Sequence, residues 1–282
     1  MTWRELMPQK LNHSETNSLR NFAAPNRRVR RSLQARYACT SPIKEQAYRI
    51  RYEGYLAHGY IDANPRGILY DHFDNEYHAP SVVIYDNGKA VGTVRLCNFD
   101  STQSTSVTDK LPSAELFELT AEKIRTRFCQ NVSDVRAIEI SKLAKIPECE
   151  SDLGITMALF KMLKIVAIAM RTHVVFASVR VPHMSLYSRL GFRIVEEPRY
   201  FAKDNIVLGL MACQPDDFRS IQDCAERIFH GPKALGTNEI HETAATFFRG
   251  EIIDVFPHDS AENGADAERF REDQYHLEQH AA

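Results

Sequence analysis

The chain lacks any apolar run long enough to cross a bilayer. The best candidate, Ile155 to Met170, is interrupted by Lys161 and Lys164, whereas a spanning helix needs about 20 predominantly apolar residues. It lacks a C-x-x-C pair as well. Its six cysteines, Cys39, Cys97, Cys129, Cys149, Cys213 and Cys224, are scattered, which speaks against a zinc ribbon and a disulfide framework and reads as reduced thiols. The opening MTWRELMPQK has no apolar centre of the kind a secretory leader carries, so a cytoplasmic protein is expected. Tryptophan occurs only as Trp3. No excess of positive charge is present either: 35 Lys and Arg stand against 37 Asp and Glu, and no nucleic-acid partner is expected. Basic charge is concentrated locally at Arg27, Arg28, Arg30 and Arg31, a candidate peripheral contact with an anionic membrane or another polyanion.

What is present is enough for a substantial core. The 282 residues are 44% apolar, which fits one core of about 170–180 residues with an extension at each end. Residues 1–36 are polar and read as a flexible basic arm, 37–213 as the folded domain, and 214–282 as a helical and charged extension. Within the domain, Ile43 to Tyr60 has near-helical apolar spacing that stops near Gly59. SVVIY, the turn Asp86-Asn87-Gly88-Lys89 and AVGTVRLCNF form the clearest local signal, an antiparallel hairpin on an Asn-Gly turn. Residues 100–112 are rich in Ser and Thr and read as a mobile loop. ELFELTAEKIRTRF reads as a helix, VRAIEISKLAKI as a central strand, Gly154 to Arg171 as a long buried helix, and HVVFASVR as a second buried strand. HMSLYSRLGF reads as a short helix, and FRIVEEPRYF and NIVLGLMAC as two further strands. This order is a mixed α/β arrangement around a strand–helix–strand–helix unit.

Strict alternation in the central strand puts Glu139 on one face with Val135, Ala137 and Leu143, away from Ile138 and Ile140. A carboxylate in such surroundings is poorly solvated, and its pKa should rise toward the range of a general base unless Arg95 or Arg51 pairs with it. On the long helix, Lys161, Lys164 and Arg171 form one basic stripe on an otherwise apolar rod, either a solvated face or a docking face for an acidic partner. Asp71-x-x-Asp74 is compatible with a turn. Metal binding by Asp71, His72, Asp74 and His78 is a minor reading, because no defined metal-loop spacing accompanies them. Ser141 and Cys149 lack any recognisable Ser-His or Cys-His arrangement, so direct attack is favoured over a covalent intermediate.

The element order, with a strand ending in LAKI, a following helix and a later L-Y-S-R-L-G-F segment, resembles the GNAT acyltransferase fold from about Ile43 to Cys213. The resemblance implies that VRAIEISKLAKI and HVVFASVR are neighbouring strands that splay apart around the pantetheine arm of an acyl donor. It also implies that Tyr187 protonates the leaving thiolate. Ordinary coenzyme A enzymes of the family carry a glycine-rich loop whose amides hold the pyrophosphate. Here PECESDLGIT brings Glu148, Glu150 and Asp152 to that place, which favours acyl carrier protein as the donor.

Arg51 in RIRYEGYL, Asp71 and Asp74 in LYDHFD, Arg95 in GTVRL and Glu139 in EISKL are similar in type and order to the signature of acyl-homoserine-lactone synthases and the related FeeM-like N-acyl amino acid synthases. Two departures, the missing tryptophan after the first helix and Lys142 where an arginine is usual, favour the amino acid branch. The implied function is transfer of a medium or long acyl chain from acyl carrier protein to the amine of an amino acid. Glu139 and Tyr187 would be catalytic, and Arg51, Asp71, Asp74, Arg95, Ser141, Lys142 and Leu143 would line the substrate. The Lys161, Lys164 and Arg171 stripe would meet the acidic carrier. No metal or tightly bound cofactor is implied beyond the phosphopantetheine that carries the acyl group. The competing readings are a lactone synthase using S-adenosylmethionine, an acetyl-coenzyme A enzyme, and a non-catalytic carrier-binding regulator.

Overall fold

Asn87 and Gly88 both take positive φ, 48° and 80°, which is what a two-residue hairpin turn demands and what Asn-Gly tolerates. The expected hairpin therefore forms, joining β2 (Ser81–Asp86) to β3 (Lys89–Asp100). The computed structural model describes residues 32–130, 132–201, 206–214 and 236–256. Around the hairpin lie β1 (Leu33–Tyr37), α1 (Ser41–Ala57), α2 (Ala121–Phe128), β4 (Arg136–Lys145), α3 (Leu153–Ala169), β5 (Val174–Arg180), α4 (Met184–Arg189), β6 (Arg193–Phe201), β7 (Ile206–Cys213), α5 (Thr237–Phe248) and β8 (Ile253–Asp254). The eight strands form a single sheet in the order β6-β7-β5-β4-β3-β2-β1-β8. Only β4 and β5 run parallel, joined across α3, while every other pairing is antiparallel.

Register fixes the two faces. Ser81 pairs with Arg95 and Arg95 with Ser141, while Cys97 pairs with Glu139 and Glu139 with Phe176. All six side chains therefore share one face. Helix α1 lies over part of that face, since its Arg51 bonds Ser81. The opposite face belongs to α3: a Cβ at Gly92 would lie 2.6 Å from Ile155 Cγ2. Helix α3 is buried along most of its length, from Gly154 to Ala167.

The structure corrects four expectations. The arm read as running to residue 36 gives way to sheet at Leu33, where β1 pairs with β2 and β8; its alternation of buried Leu33 and Ala35 is too short to stand out in sequence. Residues 100–112 are not a loose loop, for Val107 and Leu111 are buried, and with Ala114 and Phe117 they pack over the sheet face carrying Cys97 and Phe176. The helix read across ELFELTAEKIRTRF starts only at Ala121, because Thr120 caps it through a bond from Lys123 N and Glu118 takes φ +51°. The extension past residue 213 adds Ile240, Ala244, Phe247, Ile253, Val255 and Phe256 to the main core. The arginine cluster at 27–31 and the charged tail after residue 257 lie outside the described residues.

Gly54 locks α1 onto β4. A Cβ there would lie 2.5 Å from the backbone oxygen of Lys145, and neither backbone can yield cheaply. A Gly-to-Ala change inside a helix ordinarily gains about 1 kcal/mol. Here the clash reverses the sign, and thermal unfolding of Gly54→Ala is expected to show a net loss of roughly 1–3 kcal/mol. Unchanged or raised stability would mean that α1 and β4 are not in this contact.

Candidate active site

Five charged side chains meet where α1, the His72–Asn75 turn and the middle of the sheet converge. Arg51 Nη1 donates to Asp74 Oδ1 at 2.7 Å and its Nη2 to Ser81 Oγ at 2.7 Å. Arg95 grips Asp71 with two bonds, 2.5 and 3.1 Å, reaches Asp74 Oδ2 at 3.0 Å, and donates from Nε to Ser141 Oγ at 3.0 Å. Asp71 and Asp74 also cap their own turn, Asp71 accepting from Phe73 N and Asp74 from Asp71 N. Both guanidiniums and Asp74 are sealed from solvent, whereas Asp71 and Lys142, with Nζ 3.4 Å from Asp71 Oδ2, keep side-chain exposures of 31% and 26%. The network thus has a closed interior and one open edge. Burial opposes ionisation of Asp71, but the Arg95 bonds and charge, helped by Lys142, outweigh it and hold its carboxyl below the usual range. Burial, with Arg95 and Arg51 close by, pulls the Lys142 ammonium down even though Asp71 partly offsets it.

The resemblance implied that Arg51 lines the substrate or holds the fold around it. Completely buried between Asp74 and Ser81, it holds the His72–Asn75 turn against the sheet.

Glu139 is also buried, yet it forms no ion pair with either arginine. Its Oε2 accepts from both Ser113 N, at 2.8 Å, and Ser113 Oγ, at 2.7 Å, and its Oε1 lies 3.4 Å from Ser178 Oγ. Desolvation raises its pKa to about 7 even though the Ser113 bonds, the Arg95 charge and Ser178 pull it back. The neighbouring Cys97 thiol is pushed up to about 12 by burial and by the charge on Glu139 among its neighbours, which makes it a poor nucleophile near neutral pH. Ser113 and Ser178 were not singled out from sequence. Ser113 follows directly on the segment taken for a loose loop, between it and the expected helix, and the signal that could have found it is the helical spacing of Val107, Leu111, Ala114 and Phe117 around it.

Beside Glu139 the sheet opens. Strands β4 and β5 pair from Ala137 with Val174 to Ile140 with Ala177 and no further. Yet β4 continues against β3 as far as Lys145, and β5 continues against β7 as far as Arg180. Two neighbouring parallel strands that both continue without pairing must diverge, leaving a wedge between Ser141–Lys145 and Ser178–Arg180. At its inner end Lys142 adopts φ +52° at a register shift. That extra residue breaks the alternation expected for Leu143, which packs half-buried against the core of α1 and α3.

Of the other expected residues, Tyr187 adjoins the wedge through Tyr55, whose ring centroid is 5.9 Å from Lys142 Nζ, while the basic stripe lies away from it. Tyr187 is packed edge-on between Phe160 and Phe192, at 5.4 and 5.3 Å, and burial, with Tyr55 nearby, keeps its phenol protonated beyond the ordinary range. Lys161 and Lys164 are half-buried on α3, which covers the sheet face opposite Glu139, and Lys161 stacks on Phe256 at 4.9 Å. Arg171 is exposed just beyond that helix. At the N-terminus of α3, Asp152 accepts from Gly154 N and Ile155 N, while Lys145 donates to the backbone oxygens of Glu150 and Asp152. Among the described residues no group of three or more His, Cys, Asp or Glu side chains is placed to hold a metal, and no helix is long and apolar enough to cross a membrane.

A family model described as N-acyl amino acid synthase FeeM matches residues 46–214. No curated protein matches the chain in sequence. Among solved structures, FeeM from uncultured soil microbes, an N-acyl amino acid synthase, superposes with a TM-score of 0.54 at 18% identity, over 70% of this chain and 98% of that one. The acyl-homoserine-lactone synthase LasI gives 0.49 at 12%, over 72% and 97%. The coenzyme A-dependent synthase MesI gives 0.48 at 18%, over 69% and 91%.

Proposed function

The chain belongs to the family of FeeM N-acyl amino acid synthases, and from that premise we propose that it moves a medium or long acyl chain from acyl carrier protein to the α-amine of an amino acid. The observation that carries this reading is the buried Glu139, its pKa raised by desolvation to about 7, beside the wedge between β4 and β5. A thioester carbonyl seated in the wedge would lie next to a base whose pKa matches the working pH.

In the proposed reaction, Glu139 takes a proton from the ammonium of the amino acid through an intervening water. The neutral nitrogen attacks the thioester carbonyl, a C–N bond forms, and the C–S bond breaks. Of the two protons left on the nitrogen, one passes to solvent as the amide forms and the other stays as the amide N–H, and the departing thiolate takes a proton from Tyr187, its proposed donor, and leaves as a thiol. Lys142 and Asp71, the open edge of the charged network, are suited to the carboxylate and ammonium of the incoming amino acid, with Arg95 and Ser141 fixing Asp71 from behind.

The preference for a carrier protein rests on the start of α3. In coenzyme A enzymes such a helix end offers bare amides to a diphosphate, but here Asp152 already occupies them. Purified protein should therefore convert acyl-carrier-protein thioesters and an amino acid mixture to N-acyl amino acids at least about tenfold more efficiently than the matching acyl-coenzyme A, since the Asp152 charge opposes the diphosphate. Mass spectrometry of the products reads this. Equal or better use of acyl-coenzyme A would overturn the donor assignment while leaving the acyl transfer standing.

A further inference from the structure

Arg180 ends β5 three residues past the last pair with β4. It therefore stands on the diverging part of the strand, and by alternation it shares a face with Ser178 and Phe176, the face of Glu139. Its guanidinium lies over Tyr60, with Cζ 3.5 Å from the ring centroid. Tyr60 is in turn stacked on His58 at 5.1 Å and packed edge-on against Tyr55 at 6.1 Å. The Arg180 charge is close enough to act on the Tyr55 phenol. A guanidinium stacked in this way has its plane fixed and its edge N–H groups left to bind. Among the described residues no carboxylate pairs with it, unlike Arg51 and Arg95, and it is only half-buried. A fixed arginine without a counter-ion, at the open end of a wedge, is an anion receptor in waiting.

Two anions would enter the proposed reaction. The carboxylate of an α-amino acid sits on the carbon next to its amine and must stay close to Glu139, where Lys142 faces it. Arg180 lies about 7 Å further along the strand than Ser178, beyond the last pair between β4 and β5. The phosphate of a pantetheine arm is many bonds from the sulfur, and it must emerge where the strands are widest apart. The amides of α3, the other phosphate receptor a fold of this kind could offer, are taken by Asp152.

We propose that Arg180, held over the Tyr60 ring, binds the phosphate of the donor's phosphopantetheine arm at the mouth of the wedge between β4 and β5. The assignment rests on the reading of the chain as a thioester-using acyltransferase, and it makes Arg180 a donor-recognition residue with no part in proton transfer.

The test compares wild type, Arg180→Gln and Arg180→Lys, each checked for folding by circular dichroism, with three acyl donors: the carrier-protein thioester, the coenzyme A thioester and phosphate-free acyl-pantetheine. Arg180→Gln should raise KM for the phosphate-bearing donors about tenfold to hundredfold. The KM of acyl-pantetheine and of the amino acid should be unchanged, with partial recovery in Arg180→Lys. An effect confined to one phosphate-bearing donor identifies which carrier the arginine reads. An equal penalty on acyl-pantetheine, or a raised amino acid KM, would overturn the assignment. Calorimetric titration with phosphopantetheine and pantetheine gives a readout that needs no turnover. Wild type should prefer the phosphorylated compound and Arg180→Gln should not. Absence of that preference in wild type, or its survival in the variant, overturns the proposal. Preference without turnover on any thioester overturns only the acyltransferase reading.

Discussion

Replacing Glu139 by glutamine is expected to lower kcat/KM by about 10²–10⁴-fold, the usual contribution of a general base, while leaving the protein folded. Glutamine is close in shape, its oxygen can keep the two Ser113 bonds, and its amide can face Ser178. The pH behaviour separates this from a packing defect. With a carboxyl pKa of about 7, wild-type kcat/KM should rise with pH through neutrality as Glu139 ionises and level off above it. The variant should lose that limb. Stability runs the other way: the folded pKa is raised above the unfolded value near 4.5, so the stability tied to this proton is complete below pH 4.5 and is lost as pH rises through about 7. Glu139→Gln should therefore be at least as stable as wild type at pH 8, with a flatter pH dependence between those limits, as measured by denaturant titration. A variant that is inactive and also destabilised at pH 8 would recast Glu139 as a structural residue.

Replacing Asp74 by alanine is expected to cost about 3–5 kcal/mol of stability, the range for removing one partner of a buried ion pair. Its carboxylate bonds Arg51 and Arg95 at once and accepts from Asp71 N. Without it Arg51 keeps only the Ser81 hydroxyl, and a fully buried guanidinium is left without a counter-charge. Against a typical total of about 5–15 kcal/mol, that is enough to lower Tm by roughly 10 °C in a domain of this size. Asp71→Asn makes the contrast. Asp71 is partly exposed, and Arg95 retains Asp74 after its loss, so the stability change should be far smaller while turnover suffers through loss of the open-edge carboxylate. Scanning calorimetry of the two variants decides; equal losses of stability would mean that the network is not divided into a closed interior and an open edge.

These expectations show where the sequence was legible. The Asn87-Gly88 hairpin, the strand around Glu139 and the buried α3 each carry a local signature, either turn chemistry or a sustained apolar period, and each formed as expected. The charged residues around Asp71 were picked out by the resemblance of their type and order to a family signature, but their pairing was not. Arg51 could be matched with a substrate carboxylate or with Asp74, and only the closure of α1 over the sheet, fixed by Gly54 against Lys145, makes Asp74 the partner. The surroundings of Glu139 were half legible. Alternation gave its burial, whereas Ser113 comes from just beyond a Ser- and Thr-rich segment and Ser178 from a neighbouring strand, where hydroxyls carry no periodic signal. The bulge at Lys142 was invisible because a positive φ at a lysine has no sequence mark of the kind glycine provides. Among the described residues the two-residue β8 pairs only with the strand at Leu33–Tyr37, which in turn pairs with β2, so neither reads as a strand alone.

The most direct test of the central claim is intact-mass spectrometry of lipid extracts from cells expressing the chain, beside cells expressing Glu139→Gln and cells with an empty vector. The account predicts new masses equal to a fatty acid plus an amino acid minus water in the wild-type extract alone, which would identify both substrates together. A folded, well-expressed wild-type protein that yields no such masses, or a Glu139→Gln variant that yields them equally, would contradict it.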